Sequence, residues 1–236
     1  MLNFRENLYV EEHSFQESFF ESTGDILTSD QISGMEIRLS HVIVKDNKTP
    51  KIFPFPGLAK IYFVNLVLSD LAAEPISLDL KGFEKVDDGD GLAVDRTLFY
   101  WKKTPDSKKA PSQIHVLCSI IKSKEDLREV GSVLDKIKKD NEYKDLASNL
   151  ATLIGNASSV TNISNLVLTL SGIVGKYLGH VDDKPLLTWV QSFTDMDGDW
   201  DVIGKTEKHA ENKYAAMNLS ITVRDKKRQE VAESSN

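Results

Sequence analysis

Residues 35–44 read Met-Glu-Ile-Arg-Leu-Ser-His-Val-Ile-Val, and they begin the pattern that decides the fold. Apolar and polar residues alternate here, with Met35, Ile37 and Leu39 on one side, which predicts a β-strand with one buried face. Further apolar or alternating stretches occur at 59–69, 76–80, 92–102, 113–121, 186–193, 200–204 and 214–223. Together these stretches predict about eight strands separated by turn-forming residues.

Between the strand-like stretches, the block from Ser123 to His180 has the period of a helix. Ser123 is a predicted N-cap, because its hydroxyl can accept a backbone N–H and acidic residues follow in the first turn. A second helix is predicted at about 143–154 and a third at about 160–178, where apolar residues recur every three or four positions. Helices gathered in one block favour an antiparallel sandwich over βαβ units.

We therefore predict a mainly β fold: an antiparallel β-sandwich of the eight-strand type with an inserted unit of about three helices. Residues 1–33 are expected to form an N-terminal arm or a short helix. The sandwich is expected to comprise 34–122 and 185–224, with the helical insertion at 123–180 and a flexible charged tail at 225–236.

The composition narrows the function. The chain has 236 residues, a net charge of -7 and a pI of about 5.3, which argues against nucleic-acid binding because phosphate contacts need a basic face. The N-terminus lacks the pattern of a signal peptide, and the longest apolar run is too short to span a bilayer, so a cytoplasmic protein is predicted. Cys118 and His115 lie in an apolar strand, and both are predicted to be buried.

Two acidic loops are the candidate metal sites. Their carboxylates are Asp87, Asp88 and Asp90 in the first loop and Asp195, Asp197, Asp199 and Asp201 in the second. Calcium is the candidate ion, because it takes six to eight oxygen ligands. The second loop is not an EF-hand, since Trp200 replaces the required glycine and Thr206 the final glutamate. The alternative is that both loops are β-turns, where Asp and Gly are favoured.

Asp195-Met-Asp197 followed by Asp201-Val-Ile-Gly204 resembles the D-x-D…D-x-I-G stretch of C2 domains. The resemblance implies an eight-strand antiparallel sandwich. It also implies apical aspartates that bind calcium and then a membrane surface or another ligand.

The third predicted helix is the candidate partner surface. Its apolar side is mostly uncharged and includes Ile163, Leu166, Leu170, Ile173 and Tyr177. Such a stripe either packs in the protein or meets a partner protein or a second copy. A membrane surface is not favoured, because the polar side of this helix carries Ser, Thr and Asn rather than Lys and Arg.

The first hypothesis is a non-enzymatic binding module that meets a protein partner or self-assembles through the helical insertion. The second is C2-like, calcium-assisted binding of a membrane or ligand through the acidic loops. An enzyme whose site is assembled from distant segments is the third, because the sequence contains no recognised catalytic motif.

Overall fold

The computed structural model describes residues 7–9, 32–55, 57–71, 76–106, 110–123, 130–145, 148, 172–173, 176–177, 184–195 and 198–225. These residues form two β-sheets that pack face to face, with helical segments against the outer face of one sheet. The mainly β, sandwich-like fold predicted from the sequence is confirmed.

The first sheet has five strands. In spatial order they are β1 (Leu8–Tyr9), β7 (Lys184–Thr194), β6 (Gln113–Ser123), β3 (Ala59–Ser69) and β4 (Ile76–Val86). Strands β3, β4, β6 and β7 pair antiparallel, whereas β1 pairs with β7 in parallel. The second sheet is antiparallel, with the order β5 (Arg96–Lys102), β2 (Ile32–Val44), β9 (Ala215–Asp225) and β8 (Gly204–Glu211).

The main core lies between the sheets and is built by alternation. Met35, Ile37 and Leu39 of β2 point inward and are buried, as their spacing predicts. Facing strands contribute Cys118 and Trp189, which are also buried in this cluster.

A second apolar layer explains why β3 is buried on both faces. Leu66 and Leu68 of β3 point away from the main core, towards Val133 and Ile137 of helix α1 (Val130–Lys139). Because helical residues cover this side, β3 reads as a nearly continuous apolar run rather than an alternating one. Among the described residues, no helix has the length and apolar character needed to cross a bilayer.

The predicted count of three helices is not confirmed: within the described residues helices are few, and α1 is the one whose bounds are defined. Residues 141–145 and the described parts of the predicted third helix, 172–173 and 176–177, are also helical. The N-cap prediction at Ser123 was wrong, because Ser123 is the last residue of β6 and pairs with Lys60.

Two strand predictions also need correction. The short strand predicted at 200–204 was wrong, because Trp200 lies in a turn and β8 begins only at Gly204. The turn forms because the Asp199 carboxylate accepts the Thr194 backbone N–H at 2.9 Å. The ninth strand, β1, lies in the predicted N-terminal arm, where the sequence offered no alternating pattern.

Candidate functional site

The loop between β2 and β3, residues 45–58, carries the two most exposed large apolar side chains of the described residues; we call it the apical loop. Phe53 is 99% exposed, Phe55 71% and Ile52 65%. Holding two aromatic rings and an isoleucine in water does not stabilise a folded protein, which makes this loop the candidate functional site.

The tip of the apical loop is a tight turn. The backbone N–H of Phe55 donates to the carbonyl of Ile52 at 2.6 Å, and the Phe53–Pro54 peptide bond is cis. The proline ring fixes one backbone dihedral and supplies no N–H that would need a partner. The turn therefore presents Ile52, Phe53 and Phe55 together from a short, hydrogen-bonded backbone.

Asn47 secures the base of the apical loop. It is fully buried, and its Nδ2 donates to the carbonyls of Gly57 and Val86, both at 2.9 Å. Its Oδ1 accepts the Thr49 N–H at 2.7 Å. One side chain thus ties both ends of the loop to the end of β4, which positions the tip without using the apolar side chains.

Gly57 closes the loop where a larger residue would not fit. Its φ of +75° is unfavourable for residues with a Cβ, and an added Cβ would lie 2.6 Å from Cγ of Lys51. The close approach keeps the Lys51 side chain against the base of the loop.

The first acidic loop supports the apical loop rather than standing alone. The Lys51 Nζ lies 2.8 Å from Oδ1 of Asp87 and 3.0 Å from Oδ2 of Asp88. The bond from Lys51 lowers the pKa of Asp87, and the backbone N–H of Asn47, followed by Lys51, lowers the pKa of Asp88. The Lys51 ammonium group thus lies beside these carboxylates, in the position where the sequence suggested a calcium ion.

The remaining carboxylate of the first acidic loop, Asp90, acts within the turn. Its Oδ2 accepts the backbone N–H of Asp87 at 2.7 Å, and Oδ1 of Asp87 accepts the N–H of Asp88 at 2.7 Å. These bonds are those of the β-turn alternative, in which aspartates satisfy nearby backbone groups.

The second acidic loop is also built as turns. Asp199 accepts the Thr194 N–H, the Gly198 N–H donates to the Asp195 carbonyl at 3.3 Å, and the Asp201 N–H donates to the Gly198 carbonyl at 3.0 Å. Asp197 lies outside the described residues. In the part of the chain that the structure describes, no group of three or more His, Cys, Asp or Glu residues is arranged to hold a metal ion.

The strand register places the two acidic loops at opposite ends of the sandwich. Val86 pairs with Ala59, and Lys122 with Lys184, so the first loop lies at the end where β7 begins. The second loop follows the other end of β7. Because β7 has eleven residues, the loops are about 30 Å apart along the strands, too far to share one ion.

The predicted partner residues on the third helix are only partly described. Ile163, Leu166 and Leu170 lie outside the described residues. Ile173 is buried in the second apolar layer, and Tyr177 packs against that layer and donates its hydroxyl to Asp140 at 2.5 Å. These two residues therefore contact the protein itself.

His115 and Cys118 are buried, as predicted. His115 Nδ1 lies 2.8 Å from Ser192 Oγ, and Nε2 lies 3.2 Å from Oε1 of Gln113. Burial lowers the pKa of His115 to about 4, and burial raises the pKa of the Cys118 thiol. The neutral His115 imidazole, hydrogen-bonded to a hydroxyl and an amide, therefore stabilises this end of the sheet. The Cys118 thiol stays protonated, and a protonated thiol is a poor nucleophile.

No protein-family model matches the sequence, and a search of the curated proteins finds no match.

The sequence analysis did not identify the apical loop, with its Phe53-Pro-Phe-Pro-Gly57 stretch, as a functional site. The available signal was the pairing of two phenylalanines with two prolines between strands. Proline prevents regular pairing, and large apolar residues in such a loop have no strand face to bury them.

Proposed function

We propose that the protein is a non-enzymatic interaction module that inserts the tip of its apical loop into an apolar pocket of a partner protein. The observation that carries this function is the near-complete exposure of Phe53, with Phe55 and Ile52 beside it. Aromatic side chains presented by an ordered backbone bind with little loss of conformational entropy.

Simple energetics define what the tip can contribute. Full burial of a Phe or Ile side chain is worth about 1.5–3 kcal/mol, so the three side chains supply roughly 5–9 kcal/mol. Association itself costs about 4–15 kcal/mol in lost freedom of motion. The tip is therefore the anchor of a larger interface, whose rim would include the Lys51–Asp87–Asp88 group at its base.

A protein pocket is better supported than a lipid surface because the cations near the tip have local partners. Lys51 pairs with two aspartates, Lys45 lies 2.7 Å from Glu211, and the Nζ of Lys48 lies 3.7 Å from the centre of the Tyr214 ring. Anionic lipids bind clusters of unpaired Lys and Arg, and the net charge of -7 opposes such binding.

The apical loop is also better supported as a binding surface than the helical insertion and the acidic loops that the sequence suggested. Ile173 and Tyr177 of the helical insertion pack against the five-stranded sheet rather than standing clear of it. Calcium-assisted binding has less support, because Lys51 already pairs with Asp87 and Asp88, and the second acidic loop lies at the far end of the sandwich.

The function can be tested with a photoreactive phenylalanine analogue at position 53 of the full chain in the cells that produce it. We expect one discrete cross-linked protein, lost when Phe55→Ser is added. The matched control is the same analogue at Val202, which is 53% exposed but lies near the second acidic loop, and it should give no such product.

The cross-linked protein is then purified, and its affinity is measured for the unlabelled wild-type chain and for Phe53→Ser. We expect at least tenfold weaker binding by the variant. Equal affinities would reject the tip as the anchor. Phe53-dependent sedimentation with phosphatidylcholine–phosphatidylserine vesicles would instead reassign the loop to a membrane surface.

A further inference from the structure

The outer strands β4, β5 and β8, and strand β7, which the two-residue strand β1 covers, differ in charge. Three of them carry charged side chains that discourage pairing with other strands. These are Asp79, Lys81, Glu84 and Lys85 on β4, Arg96 and Lys102 on β5, and Lys205, Glu207, Lys208 and Glu211 on β8. Strand β7 has no charged residue between Pro185 and Thr194. An edge without charges is a template for an added strand.

The N-terminal arm already uses this template. Leu8 pairs with Thr188 and Tyr9 with Trp189, in parallel. The N–H of Thr188 donates to the carbonyl of Asn7 at 3.1 Å, and Nδ2 of Asn7 donates to the Pro185 carbonyl at 2.8 Å. The β7 edge therefore has a defined way of binding an extended segment.

An aromatic contact adds specificity to this pairing. The ring of Tyr9 meets the ring of Trp189 edge-on, with centroids 6.3 Å apart and planes at 88°. Edge-to-face aromatic pairs of this geometry are favourable beyond the area that they bury. Backbone pairing, the Asn7 amide and the Tyr9 ring together define which segment fits.

The number of residues between β1 and β2 would allow this segment to reach beyond its own β7. Residues 10–31, which are 22 residues, join β1 to β2. At about 3.3–3.6 Å per residue, such a connection can reach roughly 70–80 Å, well beyond the width of a five-stranded sheet. The same arm can therefore reach the β7 edge of a neighbouring molecule.

We propose that the β7 edge is a strand-addition site whose occupant in assemblies is the segment Asn7–Tyr9 of a second copy of this chain. Exchange replaces each contact with an identical one, so cis and trans pairing differ through the effective concentration of the tethered arm. Trans pairing thus dominates where the protein is held at high local concentration.

Two full-chain variants remove the competition from cis pairing. In Leu8→Asp/Tyr9→Asp the arm no longer fits, and the β7 edge is open. In Thr188→Pro the β7 edge loses the N–H that donates to the Asn7 carbonyl, so the arm of this variant cannot pair with its own β7. We expect each variant alone to remain monomeric in analytical ultracentrifugation, and their mixture to approach twice the mass of one chain.

A second measurement covers the case in which Thr188→Pro does not fold. A synthetic peptide of residues 1–14 is titrated into the Leu8→Asp/Tyr9→Asp chain while the Thr188 amide is followed by NMR. We expect a saturable shift that is at least tenfold weaker with the wild-type chain. A peptide carrying Leu8→Asp is the control and should give no shift.

The two measurements distinguish strand addition in trans from its absence. A mixed dimer, or the selective Thr188 shift, supports strand addition in trans. The absence of the Thr188 shift with the folded acceptor variant rejects it. Dimers formed by the arm-defective variant alone would reject it too, because the contact would then lie elsewhere.

Discussion

The two ends of the sandwich place their large apolar side chains in opposite ways. At the end with the apical loop, Asn47 is fully buried and Phe53 is 99% exposed. At the other end, Trp200 is buried in the main core, and the Asp199 carboxylate accepts a backbone N–H at the turn. Both loops are held by polar groups, but the exposed phenylalanines, Phe53 and Phe55, belong to the apical loop. Folding explains the buried Trp200, whereas the exposed Phe53 is the observation behind the proposed docking function.

The largest expected effect lies at the Trp200 end. Replacing a buried tryptophan by alanine leaves a cavity and costs about 3–5 kcal/mol in the free energy of unfolding. We expect Trp200→Ala to show this loss in urea denaturation. Val202→Ala, a change at an exposed neighbour, should stay within about 0.5 kcal/mol. A loss below about 1 kcal/mol for Trp200→Ala would contradict the difference in packing between the two ends.

The same end should be sensitive to acid through His115. Burial lowers its pKa from 6.5 to about 4, so between these values the unfolded chain binds a proton that the folded chain does not. The free energy of unfolding is therefore highest above pH 6.5 and falls as the pH drops towards 4, by about 3 kcal/mol at 1.36 kcal/mol per unit.

Denaturation of wild type and His115→Gln across this range measures that effect. Carboxylates with lowered pKa values, such as Asp87, Asp88, Glu207 and Glu211, add a slope at the acid end of this range that wild type and variant share. We expect the variant to lose most of the slope between pH 6.5 and 4. An unchanged slope would place the titrating group elsewhere.

At the apical end, the expected loss of stability comes from the base of the loop. Asn47→Ala removes three hydrogen bonds and leaves two buried carbonyls without their donor, which costs about 2–3 kcal/mol. Chemical denaturation measures the loss, and faster amide exchange at Thr49 would show that the loop itself has loosened. Asn47→Asp, which keeps the acceptor for Thr49, should leave that amide better protected.

The sequence predicted the sandwich because alternation depends on neighbouring residues along one strand. Residues 59–69 were predicted as a strand and form β3 with the same bounds. Residues 200–204 were not a strand, because the Asp199 carboxylate and Gly198 favour a turn whose stability depends on Thr194. Alternation therefore indicated the strands, whereas the turn depended on a carboxylate accepting a backbone N–H five residues away.

The candidate site was harder to predict because it depends on register. Asp87 and Asp195 looked equivalent in the sequence, yet the pairing of β3, β4, β6 and β7 places them at opposite ends. Exposure of Phe53 likewise depends on Asn47 reaching Gly57 and Val86, contacts that span up to 39 residues. Neither fact is contained in the spacing of nearby residues.

The smallest expected effect tests the comparison most directly. Phe53→Ser and Phe55→Ser should change the free energy of unfolding by less than about 0.5 kcal/mol, because these side chains are exposed and support no core contact. Both should raise the ammonium sulfate concentration needed for precipitation, since each removes exposed apolar area. A loss of stability of about 2 kcal/mol would mean that the tip packs within the molecule, and the apical loop would then resemble the Trp200 end rather than a docking surface.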